Sequence, residues 1–94
     1  MLEKLPINLD KVKKEDITRE VLRVGIIAEL DAINLYEQLA AMTDDATVKK
    51  VFLDIAKEEK THFGEFQTML LRLDPEQVEE LKDAEEEIKE LTGK

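Results

Sequence analysis

The feature that most constrains the fold is a short polar segment, Thr43-Asp44-Asp45, between two long stretches with helical periodicity. Before it, apolar residues recur at steps of three and four over about residues 16–42, and after it the same spacing continues over about residues 46–73. Asp44 or Asp45 is placed to cap the second helix. Two long helices joined by so short a loop must lie side by side and antiparallel. The sequence therefore predicts an all-α helical hairpin.

A third, shorter helix is predicted from Pro75 to about Leu91. Asp74 can cap it, proline is favoured at the first helical position, and Gly93 can end it. Its apolar residues form a narrow stripe that requires a neighbour to cover it. The stripe consists of Leu81, Ala84, Ile88 and Leu91.

The first 15 residues show no sustained period and contain Pro6, so we expect an N-terminal arm there. Asp16 or Thr18 can cap the first helix. The predicted domain organisation is an arm over residues 1–15 and one helical domain over residues 16–94.

The composition limits the classes of partner. The 94 residues carry a net charge of −9, and no basic cluster is combined with aromatic residues, so nucleic acid is a poor partner. No apolar run approaches the roughly 20 residues that cross a bilayer, and the absence of cysteine excludes disulfides and thiolate metal sites within this chain. We expect a cytoplasmic protein with no nucleic-acid or membrane partner. A domain this small buries only about 60% of its unfolded surface, so a lone copy should be marginally stable.

The motif that carries chemistry is Glu59-Lys60-Thr61-His62, in the middle of an apolar stripe. The E-x-x-H spacing places Glu59 and His62 one helical turn apart on the same face. An unpaired buried carboxylate is costly, and a bound cation would offset that cost. This face of the second helix is predicted to include Phe52, Ile55, Ala56, Phe63, Phe66, Met69, Leu70 and Leu73.

The first helix supplies a matching carboxylate. Glu29 interrupts its apolar face, which includes Leu22, Gly25, Ile26, Ile33 and Ala40. With a turn at residue 44, Glu29 lies 15 positions before it and Glu59 lies 15 after it, so the two should meet across the hairpin. Tyr36 lies two turns further along the face of Glu29 and could donate a hydrogen bond to a ligating carboxylate.

Glu29, Glu59 and His62 form a mixed oxygen and nitrogen set that suits iron or manganese, and zinc could substitute. Three ligands do not close a site. Di-iron carboxylate bundles use one Glu from each of two helices and one Glu-x-x-His from each of the other two, and this chain carries one of each. A two-fold pair of hairpins would complete a four-helix bundle, supply four Glu and two His, and cover the open apolar faces.

Each of these residues also has a purely structural interpretation, in which it binds no metal. Glu37, Glu58 and Glu65 point away from this face and are expected in solvent. Glu29 and the E-x-x-H pair could instead fix helix register in a non-catalytic helical oligomer. The Glu, Tyr and E-x-x-H pattern is also similar to that of the rubrerythrins, which implies a di-iron peroxidase as a further alternative. The absence of cysteine stands against it, because that activity usually draws electrons through a thiolate-bound iron centre.

Two segments resemble those of the encapsulated ferritins, short half-length members of the ferritin-like superfamily found inside encapsulin nanocompartments. The segments are Glu29-Leu-Asp-Ala-Ile-Asn-Leu-Tyr36-Glu-Gln and Glu58-Glu59-Lys60-Thr61-His62, and the Leu-Asp-Pro-Glu-Gln start of the third helix is similar too. The resemblance is closest to the ferritin-like segment fused ahead of the shell domain in some archaeal encapsulins.

The resemblance implies a ferroxidase that oxidises Fe(II) to Fe(III) between two subunits, with two iron ions at each dimer interface, and that feeds iron storage in the shell. It implies that Glu29 and His62 are terminal ligands, that Glu59 bridges the two irons and that Tyr36 is a hydrogen-bonding neighbour. The catalytic set is then Glu29, Glu59, His62 and Tyr36. Dimers of this family form a ring, typically a decamer, and their partner is the encapsulin shell protein.

The sequence departs from the family in two places. Some members have a second acid just before the Glu29 position for an outer site through which metal enters, but here that position is Ala28, which leaves Asp31 as the matching acid. Free-standing members end in an apolar shell-targeting peptide, whereas this chain stops at Leu91-Thr-Gly-Lys94. We therefore expect an excised domain or a protein held in its shell by fusion.

Overall fold

The computed structural model describes residues 8–94, and within that range its regular structure is entirely helical. Helix α1 spans Ile17–Met42, α2 spans Ala46–Leu73 and α3 spans Pro75–Thr92. Two 3-10 turns, Leu9–Lys11 and Lys14–Asp16, precede α1. The predicted all-α hairpin with a shorter C-terminal helix is confirmed. The part of the predicted arm before residue 8 lies outside the described residues, and the arm and domain boundaries stay predictions.

Side-chain caps fix the start of α2. The carboxylate of Asp45 accepts hydrogen bonds from the backbone N–H groups of Thr47, at 2.9 Å, and Val48, at 3.0 Å. These donors lack partners in the first turn of a helix, so the cap satisfies both. Of the two predicted caps, Asp44 and Asp45, the structure uses Asp45.

The other helix ends differ in how they are capped. Asp74 accepts a 3.1 Å hydrogen bond from the N–H of Gln77, and Gly93 ends α3 with φ of 72°, a left-handed conformation that glycine adopts without strain. Asp16 occupies the N-cap position of α1 but makes no capping hydrogen bond; its carboxylate pairs with Arg19. Of the two predicted caps, Asp16 thus occupies the N-cap position without a capping hydrogen bond, and Thr18 lies inside the helix.

The single chain buries very little. The buried apolar residues of the described region are Ile33, Ala40, Ala56 and Leu70. Met69 and Leu73, which were predicted on the apolar face, are exposed. The accessible surface is 7532 Å², against about 5,500 Å² for a folded monomer of this mass. The hairpin therefore presents an apolar face that the isolated chain does not cover.

Helix α3 diverges from the hairpin instead of packing along it. The molecule measures 46 × 43 × 21 Å, and its radius of gyration is 16.8 Å, against about 12 Å for a compact domain of this length. All residues from Glu79 to Lys94 are exposed, so the predicted apolar stripe of α3 is open: Ile88 is 56% exposed and Leu91 82%. Between residues 8 and 94, no helix is long and apolar enough to cross a membrane.

Candidate metal centre

The structure brings Glu29, Glu59 and His62 together. One potential ligand atom from each of the three residues lies within 4.8 Å of the other two. Nδ1 of His62 is 3.3 Å from Oε2 of Glu59 and 3.7 Å from Oε2 of Glu29. Two carboxylates this close repel one another unless a proton or a cation lies between them. The arrangement is one that could hold a cation.

Local helix geometry explains this convergence. Glu59 and His62 lie one turn apart on α2 and project from the same side. Glu29 lies opposite because the α1–α2 connection spans residues 43–45 and the helices run antiparallel, which aligns positions equally distant from the turn. The position of the loop thus sets the composition of the site.

The two carboxylates are largely withdrawn from water. The side chains of Glu29 and Glu59 are 18% and 19% exposed. Oε2 of Glu29 is buried and has no hydrogen-bond partner among residues 8–94. An ionised oxygen left without a partner costs free energy, and a bound cation would remove that cost. The donor set therefore fits a hard or borderline metal such as iron.

His62 marks the open side of the site. Its side chain is 49% exposed. Val51, Met69 and Leu73 lie seven or eleven residues from His62, which places them within about 20° of it around α2. All three are exposed. His62 thus lies on the same face of α2 as a row of uncovered apolar side chains, which is a surface suited to a protein partner.

Tyr36 lies two helical turns after Glu29 on α1. Its ring stacks on Phe52 of α2, with ring centroids 6.2 Å apart and planes inclined by 23°. Sequence reasoning placed both residues on apolar faces but did not pair them, although Tyr36 and Phe52 are equally distant from residue 44. Asp31 lies about 160° around α1 from Glu29 and is outside the three-residue group. Its role at an outer metal site stays a prediction.

A cross-helix ion pair on the opposite side of the hairpin was not anticipated. Nζ of Lys60 lies 3.3 Å from Oε2 of Glu37, and both side chains are exposed. Lys60 is sixteen residues after the turn and Glu37 seven before it, an axial offset of about 13 Å. Each side chain points towards the N-terminus of its own helix. Because the helices are antiparallel, the two side chains point towards each other, and this closes the gap. Glu58 and Glu65 are exposed, as expected.

Comparison with known proteins identifies the family of the chain. The model of the rubrerythrin family matches residues 20–94. A ferritin-like–encapsulin shell fusion protein of Pyrococcus furiosus is 60% identical over 87 residues, which are 93% of this chain and 25% of that protein. The encapsulin nanocompartment cargo protein EncC of Myxococcus xanthus is 37% identical over 88% of this chain and 63% of its own length. The chain thus spans a quarter of the first relative and less than two thirds of the second.

A solved structure gives the same answer for the fold. The crystal structure of the encapsulated ferritin domain from Pyrococcus furiosus is 55% identical in sequence and superposes with a TM-score of 0.83, covering 100% of this chain and 96% of that one. The hairpin with its divergent third helix is therefore the half-bundle of that fold. This chain belongs to the rubrerythrin family, among the encapsulated ferritins.

Proposed function

We propose that two copies of this chain form a ferroxidase, which binds two Fe(II) ions between them as substrate and oxidises them to Fe(III). The observation that carries the proposal is the cluster of Glu29, Glu59 and His62, in which a buried carboxylate oxygen has no hydrogen-bond partner among residues 8–94. Each Fe(II) gives up one electron, and dioxygen is the acceptor.

The open side of the site supports a dimer. A second hairpin placed against the exposed stripe around His62 would bury Val51, Met69 and Leu73 and would bring a second set of three ligands to the first. The excess accessible surface of the single chain is of the kind that such a partner removes. The pair would form a four-helix bundle with four Glu and two His at its centre.

Charge balance supports iron in this bundle. Four carboxylates neutralise two Fe(II) ions, and hard anionic oxygen ligands favour the ferric state. Glu59 is proposed to bridge the two irons, with Glu29 and His62 as terminal ligands. The free ring nitrogen of His62 needs a hydrogen-bond acceptor to fix its tautomer. The role proposed for Tyr36 is to orient a ligating carboxylate from its place on Phe52.

A second open surface supports larger assembly. The stripe of α3 is exposed along its length, and Leu30 and Leu53 are exposed on the side of the hairpin that carries the Lys60–Glu37 pair. Two separate apolar surfaces allow dimers to join into a ring, which we propose is a decamer. The names of the relatives from Pyrococcus furiosus and Myxococcus xanthus support an encapsulin shell as partner and an encapsulin nanocompartment as location, which we propose lies in the cytoplasm. In the shell, Fe(III) would be mineralised.

The match to the rubrerythrin family model favours a second candidate function, a di-iron peroxidase. The same ligands would serve it, with hydrogen peroxide in place of dioxygen as oxidant. Oxidation rates measured with each oxidant in turn distinguish the two functions.

The test compares Glu59→Ala with Glu58→Ala, two adjacent substitutions on α2. Glu59 lies in the site and Glu58 is exposed outside it. We expect Glu59→Ala to abolish iron-dependent dioxygen consumption and Glu58→Ala to retain it. Wild-type activity in the Glu59 variant, or failure of the native protein to bind iron in stoichiometric amounts, would contradict the proposal and favour a non-catalytic oligomer.

A further inference from the structure

A close contact between α1 and α2 lies beside the cluster of Glu29, Glu59 and His62. A Cβ atom at Gly25 would lie 3.2 Å from Cδ2 and 3.3 Å from Cε2 of Phe66, closer than most carbon contacts of this kind. The missing side chain therefore lets the Phe66 ring rest directly against the backbone of α1. Glycine in a helix interior is unfavourable relative to alanine, so this close approach has a conformational cost.

The ring is placed to border two of the three ligands. Gly25 is four residues before Glu29, and Phe66 is four residues after His62. Side chains of a helix lean towards its N-terminus. Glu29 therefore leans towards the turn of Gly25, and Phe66 leans towards the turn of His62. The antiparallel packing of the helices puts the ring between these two turns.

The Phe66 ring can restrict the position of the Glu29 carboxylate where hydrogen bonds do not. Oε2 of Glu29 accepts no hydrogen bond from residues 8–94, so hydrogen bonds within the described chain do not hold that oxygen in place. A rigid apolar ring next to a carboxylate restricts the rotamers of that side chain and excludes water from one side of it. Contact with Gly25 sets how closely the ring approaches the backbone of α1.

We propose that Phe66, seated on Gly25, is a positioning residue that orients Glu29 and His62 for metal. This inference rests on the proposed function, because it assigns the ring a role at the same site. An alanine at position 25 would push the ring outward by a few tenths of an ångström. That shift would change the geometry of the ligands without changing their identity.

The chain offers a matched control for the test. Gly64 lies in the interior of α2, and a Cβ there would meet nothing within 4 Å. Gly25→Ala and Gly64→Ala are thus the same chemical change, one against the ring and one into open space. The assembled protein is titrated with Co(II), whose visible spectrum reports ligand geometry without any turnover. Helical content and assembled mass are measured for each variant.

We expect Gly25→Ala to bind Co(II) about tenfold more weakly than wild type and with an altered visible spectrum. Gly64→Ala should match wild type in both. Should Gly25→Ala lose helical content or assembled mass, Phe66→Leu carries the test, because it leaves the backbone of α1 untouched and should weaken Co(II) binding similarly.

Two results would overturn the inference. Identical affinity and spectrum for wild type and Gly25→Ala, or for wild type and Phe66→Leu when that variant carries the test, would show that the ring does not orient the ligands. Absence of Co(II) binding by the wild-type protein would instead remove the proposed function, and the inference with it. Co(II) binding by the wild-type protein therefore distinguishes failure of the inference from failure of the proposed function.

Discussion

Arg23 of α1 donates a 3.1 Å hydrogen bond to Oδ2 of Asp74, 51 residues later, at the junction between α2 and α3. The other oxygen of that carboxylate caps α3 through the N–H of Gln77. Asp74 is 6% exposed and is the buried charged residue of the described region. One side chain therefore links all three helices, and it does so where α3 leaves the hairpin.

Substitutions of Asp74 should separate its two roles. Asp74→Asn keeps an oxygen that can cap α3 but weakens the ion pair with Arg23, whose side chain is half exposed, so the loss should be below about 1 kcal/mol. Asp74→Ala removes both and should lower the free energy of unfolding by roughly 1–2 kcal/mol. Urea denaturation at fixed protein concentration measures both, and equal stabilities of the two variants would contradict the capping role.

Glu29→Gln should have opposite effects with and without metal. It removes a charge whose Oε2 atom is buried without a hydrogen-bond partner among the described residues, so the metal-free protein should be as stable as wild type or more stable. Metal at about 100 times its dissociation constant should stabilise the wild type by roughly 2.7 kcal/mol and this variant far less.

Thermal unfolding with and without Co(II) measures this difference. Glu65→Gln, at an exposed position on α2, is the control and should respond to Co(II) as the wild type does. Equal stabilisation of the Glu29 variant and the wild type would remove Glu29 from the ligand set.

Charged substitutions on the two apolar surfaces should break different contacts. Met69 lies on the same open face of α2 as His62. The charge introduced by Met69→Glu would be buried in the dimer interface and should prevent dimer formation and, with it, metal binding. Ile88→Glu lies on α3 and should leave the dimer and its iron oxidation intact while it removes larger assemblies.

Native mass measurement together with iron-dependent dioxygen consumption distinguishes these variants. A Met69→Glu protein that binds iron as a monomer would refute the shared site. A full-sized assembly of Ile88→Glu would show that the stripe of α3 does not join dimers.

The cap of α2 should be specific to one of two adjacent acids. Asp45→Ala leaves the N–H groups of Thr47 and Val48 without their acceptor and should cost about 1 kcal/mol of unfolding free energy. Asp44→Ala is the paired control and should change stability by less than about 0.5 kcal/mol. Thermal denaturation of both variants is sufficient, and equal losses would contradict the assignment of the cap.

Much of the hairpin followed from sequence because its determinants are local. Asp45 and Asp74 were recognisable as caps, and the short loop fixed the register that brings Glu29 to Glu59. Local patterns could not decide whether Asp16 would cap α1, because Arg19 competes for the same carboxylate.

The contacts that were missed depend on side-chain reach and shape. Lys60 and Glu37 are offset along the hairpin and meet because both are long and lean towards each other. The seating of Phe66 on Gly25 depends on interhelical distance, which periodicity does not report. Met69 and Leu73 fit the apolar pattern but are exposed, because periodicity does not report which part of an apolar face the chain itself covers.

The half-exposed imidazole of His62 has a kinetic consequence under the proposed function. Since one polypeptide would hold half of the coordination sphere, oxidation would require dimerisation, whose rate is second order in protein concentration. Dilution would therefore abolish iron oxidation. Newly synthesised monomers would not oxidise Fe(II) until they dimerise. The onset of iron oxidation would then be set by the rate of dimerisation and not by the rate of synthesis.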